Sequence, residues 1–181
     1  MRTVVWDLEC TNLRSNIGQL IVASFGELGP NGKIRSVQTR DILQMNTPEQ
    51  MDGEAHLVDW VKEQITAADI IIGFNSTAFD EHFVNGVLMR QGKDPLPLRF
   101  HLDVYQVARA GKWAFHSLSL ENLAGTLGLN RKKYKPEMDC WREWNRPESI
   151  AILRRRCEED VRLTAEVWER LKPTYMRWKG R

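Results

Sequence analysis

The segment Thr3-Val4-Val5-Trp6-Asp7-Leu8-Glu9-Cys10 constrains this chain more than any other, because it sets two acids inside a run that otherwise reads as a buried strand. Side chains at i and i+2 of a strand share a face. Asp7 and Glu9 therefore present two carboxylates side by side, with Trp6, Leu8 and Cys10 opposite. Like charges held that close are unfavourable unless a cation lies between them. Carboxylate oxygens with no Cys/His cluster nearby favour a hard ion, Mg²⁺ or Mn²⁺, over zinc. The plainer account is a strand with one polar face in water, and the rest of the chain decides between the two.

Beyond that strand the punctuation is regular. Gly18 to Leu28 and Lys33 to Arg40 read as second and third strands, and Gly29-Pro30-Asn31-Gly32 between them carries hairpin turn chemistry. Thr47-Pro48-Glu49-Gln50 has a capping residue, a proline at the first helical position and Gln three on, which predicts a helix running to about Ala67. Asp69 to Phe74 is an uninterrupted apolar strand of the kind buried on both faces of a parallel sheet. A helix over Ala78 to Arg90, a short strand over Phe100 to Asp103 and a helix opened by Ser119 and stopped at Gly128 follow. The last element, Pro147 to about Trp178, is long for one helix, and a break near Cys157 is expected. Three strands in hairpin order followed by alternating helices and strands describe an α/β domain with a mixed sheet of about five strands, antiparallel for the first three and parallel after, with helices on its faces.

A length of 181 residues suits one domain, 1–181, with a sizeable core. Hydrophobic content of 42% and charged content of 28% are those of a globular chain, with no repeat or low-complexity tract. Apolar runs such as Ile70-Ile71-Ile72 are too short to span a bilayer, and no signal-peptide core follows a basic start. Cys10, Cys140 and Cys157 lack C-x-x-C spacing and form an odd set, which fits reduced thiols and an intracellular, cytoplasmic location. The net charge of +2 is unevenly spread: up to Gly128 there are 11 Lys/Arg against 15 Asp/Glu, and from Leu129 onward 15 against 9. An acidic front with a basic back suits a metal-holding centre flanked by a phosphate-binding surface. Solvated helix faces are the competing explanation for any one of those cations.

Two further acids stand at informative places. Asp80 follows the strand DIIIGF at the start of a helix, and Asp160 lies in Cys157-Glu158-Glu159-Asp160-Val161. Alone, each reads as an ordinary helix acid. Together, Asp7-x-Glu9, Gly73-Phe74-Asn75-x4-Asp80 and Cys157-x-x-Asp160-Val161 resemble the DEDD superfamily of 3′-to-5′ exonucleases, which has a ribonuclease H-like fold. The Cys-x-x-Asp-Val form and Ser117-Leu118-x-Leu120-x-x-Leu123-Ala124-x-x-Leu127-Gly128 are similar to its proofreading-type and predicted RNase H-like exonuclease branches. The resemblance implies hydrolysis of phosphodiester bonds in DNA or RNA with two Mg²⁺ or Mn²⁺ ions, and a single-stranded 3′ end as partner. Two such ions roughly 3.5 to 4 Å apart activate a water and stabilise the leaving oxygen. By the family pattern Asp7 bridges both ions, Glu9 and Asp160 complete the one that activates water, and Asp80 helps hold the other.

One departure stands out. The family carries a Tyr four residues before the last Asp, or a His five before it, and those positions here are Arg156 and Arg155. Arginine keeps its proton at neutral pH and cannot be a base. Four explanations compete: the attacking water needs no side-chain base, His116 or Tyr134 supplies one, Arg156 binds phosphate instead, or the site is weakened. Glu158 and Glu159 remain as acids on the solvent side.

Around this centre Asn75 and Phe79 sit where the family contacts the terminal nucleotide; a turn residue and a core aromatic are equally good accounts. Asp103 either supports the site from behind its acids or caps the end of its strand. His116, with Lys112 and Trp113 nearby, could meet nucleic acid, against a surface loop with a packed Trp. Arg131-Lys132-Lys133-Tyr134-Lys135 offers four cations and a ring, and Lys132 and Lys133 are its leading phosphate contacts. Two other functions stay open on the same fold. One is a structure-selective endonuclease, and the other a catalytically weakened nucleic-acid-binding module, which Arg156 favours and the four retained acids oppose.

Overall fold

A computed structural model describes residues 1–46, 52–111, 113–131 and 133–179, of which residues 178 and 179 are described through their backbone alone. Five strands, β1 (Thr3–Cys10), β2 (Leu20–Leu28), β3 (Ile34–Asp41), β4 (Ile70–Gly73) and β5 (Phe100–Asp103), form one sheet in the order β3-β2-β1-β4-β5. β1 pairs antiparallel with β2, and β2 with β3, whereas β4 runs parallel to both β1 and β5. This is the mixed sheet expected from the sequence. The hairpin between β2 and β3 is closed by the Gly29 N–H donating to the Lys33 carbonyl at 2.8 Å and the Gly32 N–H to the Gly29 carbonyl at 3.0 Å. Gly32 has φ +74°, a conformation that suits a residue without Cβ.

Seven helices lie among the described residues: α1 (Ile42–Met45), α2 (Gly53–Thr66), α3 (Asp80–Arg90), α4 (Val104–Ala110), α5 (Leu120–Thr126), α6 (Asp139–Arg142) and α7 (Pro147–Lys179). None is long and apolar enough to cross a membrane. The period-two pattern of β1 feeds two apolar clusters. Val4, Trp6 and Leu8 join Leu57 and Val61 of α2 and Val84 and Leu88 of α3, while Val5 joins Val107, Leu123 and Val161 on the other side. Both sheet faces are thus covered by helices, and the face begun by Val5 continues outward as Asp7 and Glu9.

The helices depart from the expectation in places, the short α1 and α6 not having been expected. Thr47 to Gln50, the proposed helix opening, fall outside the described residues; α2 is seen from Gly53, with Asp52 as its cap accepting the Ala55 N–H at 3.1 Å. Asp103 opens α4 directly after β5, a helix too short to announce itself by periodicity. No break interrupts α7 near Cys157. Its Ile150, Leu153 and Cys157 belong to the first cluster, and its Val161, Leu163, Val167, Trp168 and Leu171 to the second. One helix spanning both cores gains more from its unbroken apolar stripe than a kink would release, and most helical stability comes from such packing.

Candidate metal centre

The site forms where the parallel strands end. Asp7 and Glu9 leave the C-terminal half of β1, and the turn after Gly73, the last residue of β4, leads through Asn75 to Asp80 at the start of α3. Asn75 holds φ +59°. What fixes that turn is Asp103 at the end of β5. Its Oδ1 accepts the N–H groups of Asn75 at 2.9 Å, Tyr105 at 2.9 Å and Gln106 at 3.3 Å, and its Oδ2 accepts the N–H of Thr77 at 3.1 Å and its hydroxyl at 2.6 Å. Asp103 therefore caps α4 and at the same time holds the turn that leads to Asp80. Asp103→Ala is expected to destabilise the fold by about 3 kcal/mol through the lost cap and unpaired turn amides. A thermal melt should show this as a loss of roughly 6–12 °C.

Asp160 comes to the same place on α7. The Cys157 thiol donates to the Asp7 carbonyl at 3.1 Å, and Arg154 pairs with the buried Asp41 of β3 at 2.6 Å. These two contacts seat the helix on the sheet. Residues three apart share a helix face, so a Cys docked on the β1 backbone aims Asp160 at Asp7. That is the physical content of Cys-x-x-Asp.

One carboxylate oxygen from each of Asp7, Glu9 and Asp160 lies within 4.8 Å of the others. These three and Asp80 line a single cleft of about 470 Å³. Glu9, Asp80 and Asp160 are buried, whereas Asp7 is partly open to the cleft. Burial pushes the Asp7 carboxyl well above the usual range, and the charges of Asp160, Asp80 and Glu9 push the same way, with Lys133 opposing. Burial likewise lifts Asp80 to about 7, against backbone N–H groups that favour its charge. Glu9 is raised by burial, with Arg156 and Trp141 pulling it back. Oδ1 of Asp160 is buried without a hydrogen-bond partner among the described residues. Crowded carboxylates, an orphaned oxygen and an all-oxygen donor set fit a hard divalent cation.

Two cations already enter the cleft. Arg156 Nε lies 2.6 Å from Glu9 Oε1, a charge contact with its N–H off line, and Nη2 lies 3.3 Å from Asp160 Oδ2. Its Nη1 donates to the Tyr134 carbonyl at 2.9 Å. Burial opposes charge on this guanidinium, but Glu9, Asp160 and Asp7 outweigh it and hold the proton more firmly than usual. Lys133 Nζ sits 3.0 Å from Asp160 Oδ2.

Of the other residues singled out from the sequence, Asn75 and Phe79 line the cleft, and Phe79 also packs against Phe83. His116 is exposed between α4 and α5 and is not among the residues lining it. Lys132 and Lys112 lie outside the described residues. The remaining cations of the basic run are committed to acids, Arg131 to Glu159 and Glu166 and Lys135 to Glu121. The Tyr134 ring lies under Arg155, whose guanidinium is 4.8 Å from its centroid. Sequence reasoning missed Trp141, which lines the cleft, donates Nε1 to Glu9 Oε2 at 2.9 Å and carries the Arg156 guanidinium 5.4 Å from its ring centroid. Tryptophan abundance was the available signal, and it points first to cores.

Solved structures share this arrangement of elements. A family B DNA polymerase from the hyperthermophilic archaeon Pyrobaculum calidifontis superposes with a TM-score of 0.73 at 17% identity over 96% of this chain and 25% of its own. Exonuclease I superposes with a TM-score of 0.69 at 14% identity over 98% of this chain and 42% of its own, and its product-bound structure with 0.69 at 13% over 98% and 45%. This chain thus spans between a quarter and just under half of those chains. No curated protein matches the sequence. Residues 4–172, from the second residue of β1 through all but the tail of α7, match the family described as RNase_H superfamily, and to that superfamily the chain belongs.

Proposed function

We propose that this chain is a metal-dependent 3′-to-5′ exonuclease of the DEDD type, hydrolysing phosphodiester bonds of DNA or RNA, with residues 1–181 acting as one nuclease domain in the cytoplasm. The observation that carries this reading is the meeting of Asp7, Glu9, Asp80 and Asp160, drawn from β1, α3 and α7, in one cleft. Membership of the RNase_H superfamily supports it, as does the likeness of fold to exonuclease I. Asp7, Glu9, Asp80 and Asp160 would hold Mg²⁺ or Mn²⁺, which when bound polarises phosphate oxygens and lowers the pKa of water.

The chain's own residues supply the rest. Asp103 fixes the Asn75–Thr77 turn, so that Asn75 and Phe79 border the cleft where a strand terminus would lie. Neither Arg156 nor Arg155 can remove a proton from water, so these positions contribute charge rather than base catalysis. The pairing of Arg156 with Glu9 favours one competing account, a silent nucleic-acid-binding module.

A degradation assay separates these readings. With Mg²⁺ or Mn²⁺, a 5′-labelled single strand of DNA or RNA should yield a ladder of shortening products, and a circular strand should persist. Immediate release of labelled mononucleotide would reverse the polarity, and cleavage of the circle would indicate an endonuclease. Binding of both strands with no product under either metal would leave the silent module.

A further inference from the structure

The acids of the cleft do not face it alone, and the cations among them are not placed like surface ion pairs. Side chains of Arg156 and Lys133 are only 17% and 24% exposed, and both point into the cleft that holds the carboxylates. Arg156 reaches Glu9 and Asp160 together, and Lys133 reaches Asp160. Glu9 is engaged on both oxygens, Oε1 by Arg156 and Oε2 by the Trp141 N–H. Asp160 carries both cations on Oδ2 and leaves Oδ1 bare. Asp7 and Asp80 have no ion pair among the described residues.

Charge bookkeeping decides what this arrangement can accept. Four ionised carboxylates carry four negative charges, and Arg156 with Lys133 returns two of them. The remainder is neutralised by a single divalent cation. A second would leave the buried cleft with a net positive charge and would compete with a guanidinium for Glu9, at the desolvation penalty that attaches to unbalanced buried charge. Arg156 is also hard to displace: its Nη1 is tied to the Tyr134 carbonyl and its plane lies over Trp141.

We propose that Arg156 and Lys133 stand in for one of the two cations, so that the site takes up a single divalent ion, with Arg156 acting as a fixed counter-charge on Glu9 and Asp160. The inference rests on the metal-site reading and alters the pair of ions that the family resemblance implies. It also accounts for the arginine at a position where the family carries Tyr or His: a permanently charged fork does what neither of those side chains can do toward two carboxylates.

Counting bound ions tests this without any cleavage assay. The full chain, stripped with EDTA and dialysed, is titrated with Mn²⁺ alone, and bound ions are counted by calorimetry and by loss of the free Mn²⁺ electron-spin-resonance signal. The wild type should bind one ion. The double variant Arg156→Gln/Lys133→Gln, in which two divalent ions balance the four carboxylates, should bind two, and Arg156→Lys, which keeps a charge, should stay at one. Two ions in the wild type, or one in the double variant with a wild-type melting profile, would overturn the inference while leaving a metal site in place. No binding at all would remove the metal-site reading and this inference with it. Should the double variant fail to fold, Arg156→Met/Lys133→Met, which keeps the apolar stems, replaces it with the same expected gain of an ion, and the wild-type count alone still decides against the inference if it is two.

Discussion

Asp7→Asn is expected to abolish cleavage while leaving the protein folded and, without metal, more stable than the wild type. The two halves of this result have one cause. Asp7 is the carboxylate on which the others converge: its own charge is disfavoured by burial and by Asp160, Asp80 and Glu9 together. Asparagine keeps the shape and removes that repulsion, so the metal-free melting temperature at pH 8 should rise. On the proposed metal-site reading the same change removes a ligand whose ion would be worth several kcal/mol in the transition state, which corresponds to a loss of roughly a thousandfold or more in kcat/KM. Single-turnover degradation of a labelled strand, run beside thermal melts in EDTA, measures both. Undiminished turnover would sink the metal-site reading, and a large fall in metal-free stability would show that Asp7 is structural rather than a centre of stored repulsion.

How much of this was legible in the sequence follows from how far apart the partners lie. The acid pair on β1 could be read because a strand's period of two is local, and the hairpin because its turn residues are adjacent. The Cys157-x-x-Asp160 spacing was equally local, although only the structure reveals that the thiol docks on the Asp7 carbonyl. The bond from Trp141 to Glu9 crosses 132 positions, and nothing in the neighbourhood of Trp141 signals it. Arg156 was recognisable as an anomaly, but its destination depends on α7 remaining unbroken past Cys157. That continuity is itself set by two apolar clusters assembled from distant strands and helices. Local pattern therefore reached the strands, the longer helices and the acids, whereas the short helices, the continuity of α7 and the counter-charges around the acids are properties of the tertiary packing.

Removing divalent metal should make the protein lose stability as pH rises from about 4 to 7, the reverse of ordinary acid denaturation. Asp80 has its folded pKa lifted to about 7 by burial from an ordinary value of 3.8, so in that window the folded state binds a proton that the unfolded chain has released. Stability then falls with each step up in pH between those two values and levels off above the upper one, by about 4 kcal/mol from Asp80 alone. Asp7, raised in the same direction, adds to the fall. A bound cation cancels the penalty by favouring the charged forms. Mn²⁺ at a hundred times its dissociation constant should return about 2.7 kcal/mol at pH 8, or roughly 5–10 °C in melting temperature. At pH 5 the proton competes with the ion, and the gain should shrink. Thermal melts from pH 4.5 to 8, with EDTA and with Mn²⁺, give the two curves, and Asp80→Asn should flatten the metal-free one. A metal-free melting temperature that climbs between pH 4.5 and 7 in the wild type, unchanged in Asp80→Asn, would mean that Asp80 is ionised without an ion. The cleft would then hold its carboxylates by Arg156 and Lys133 alone.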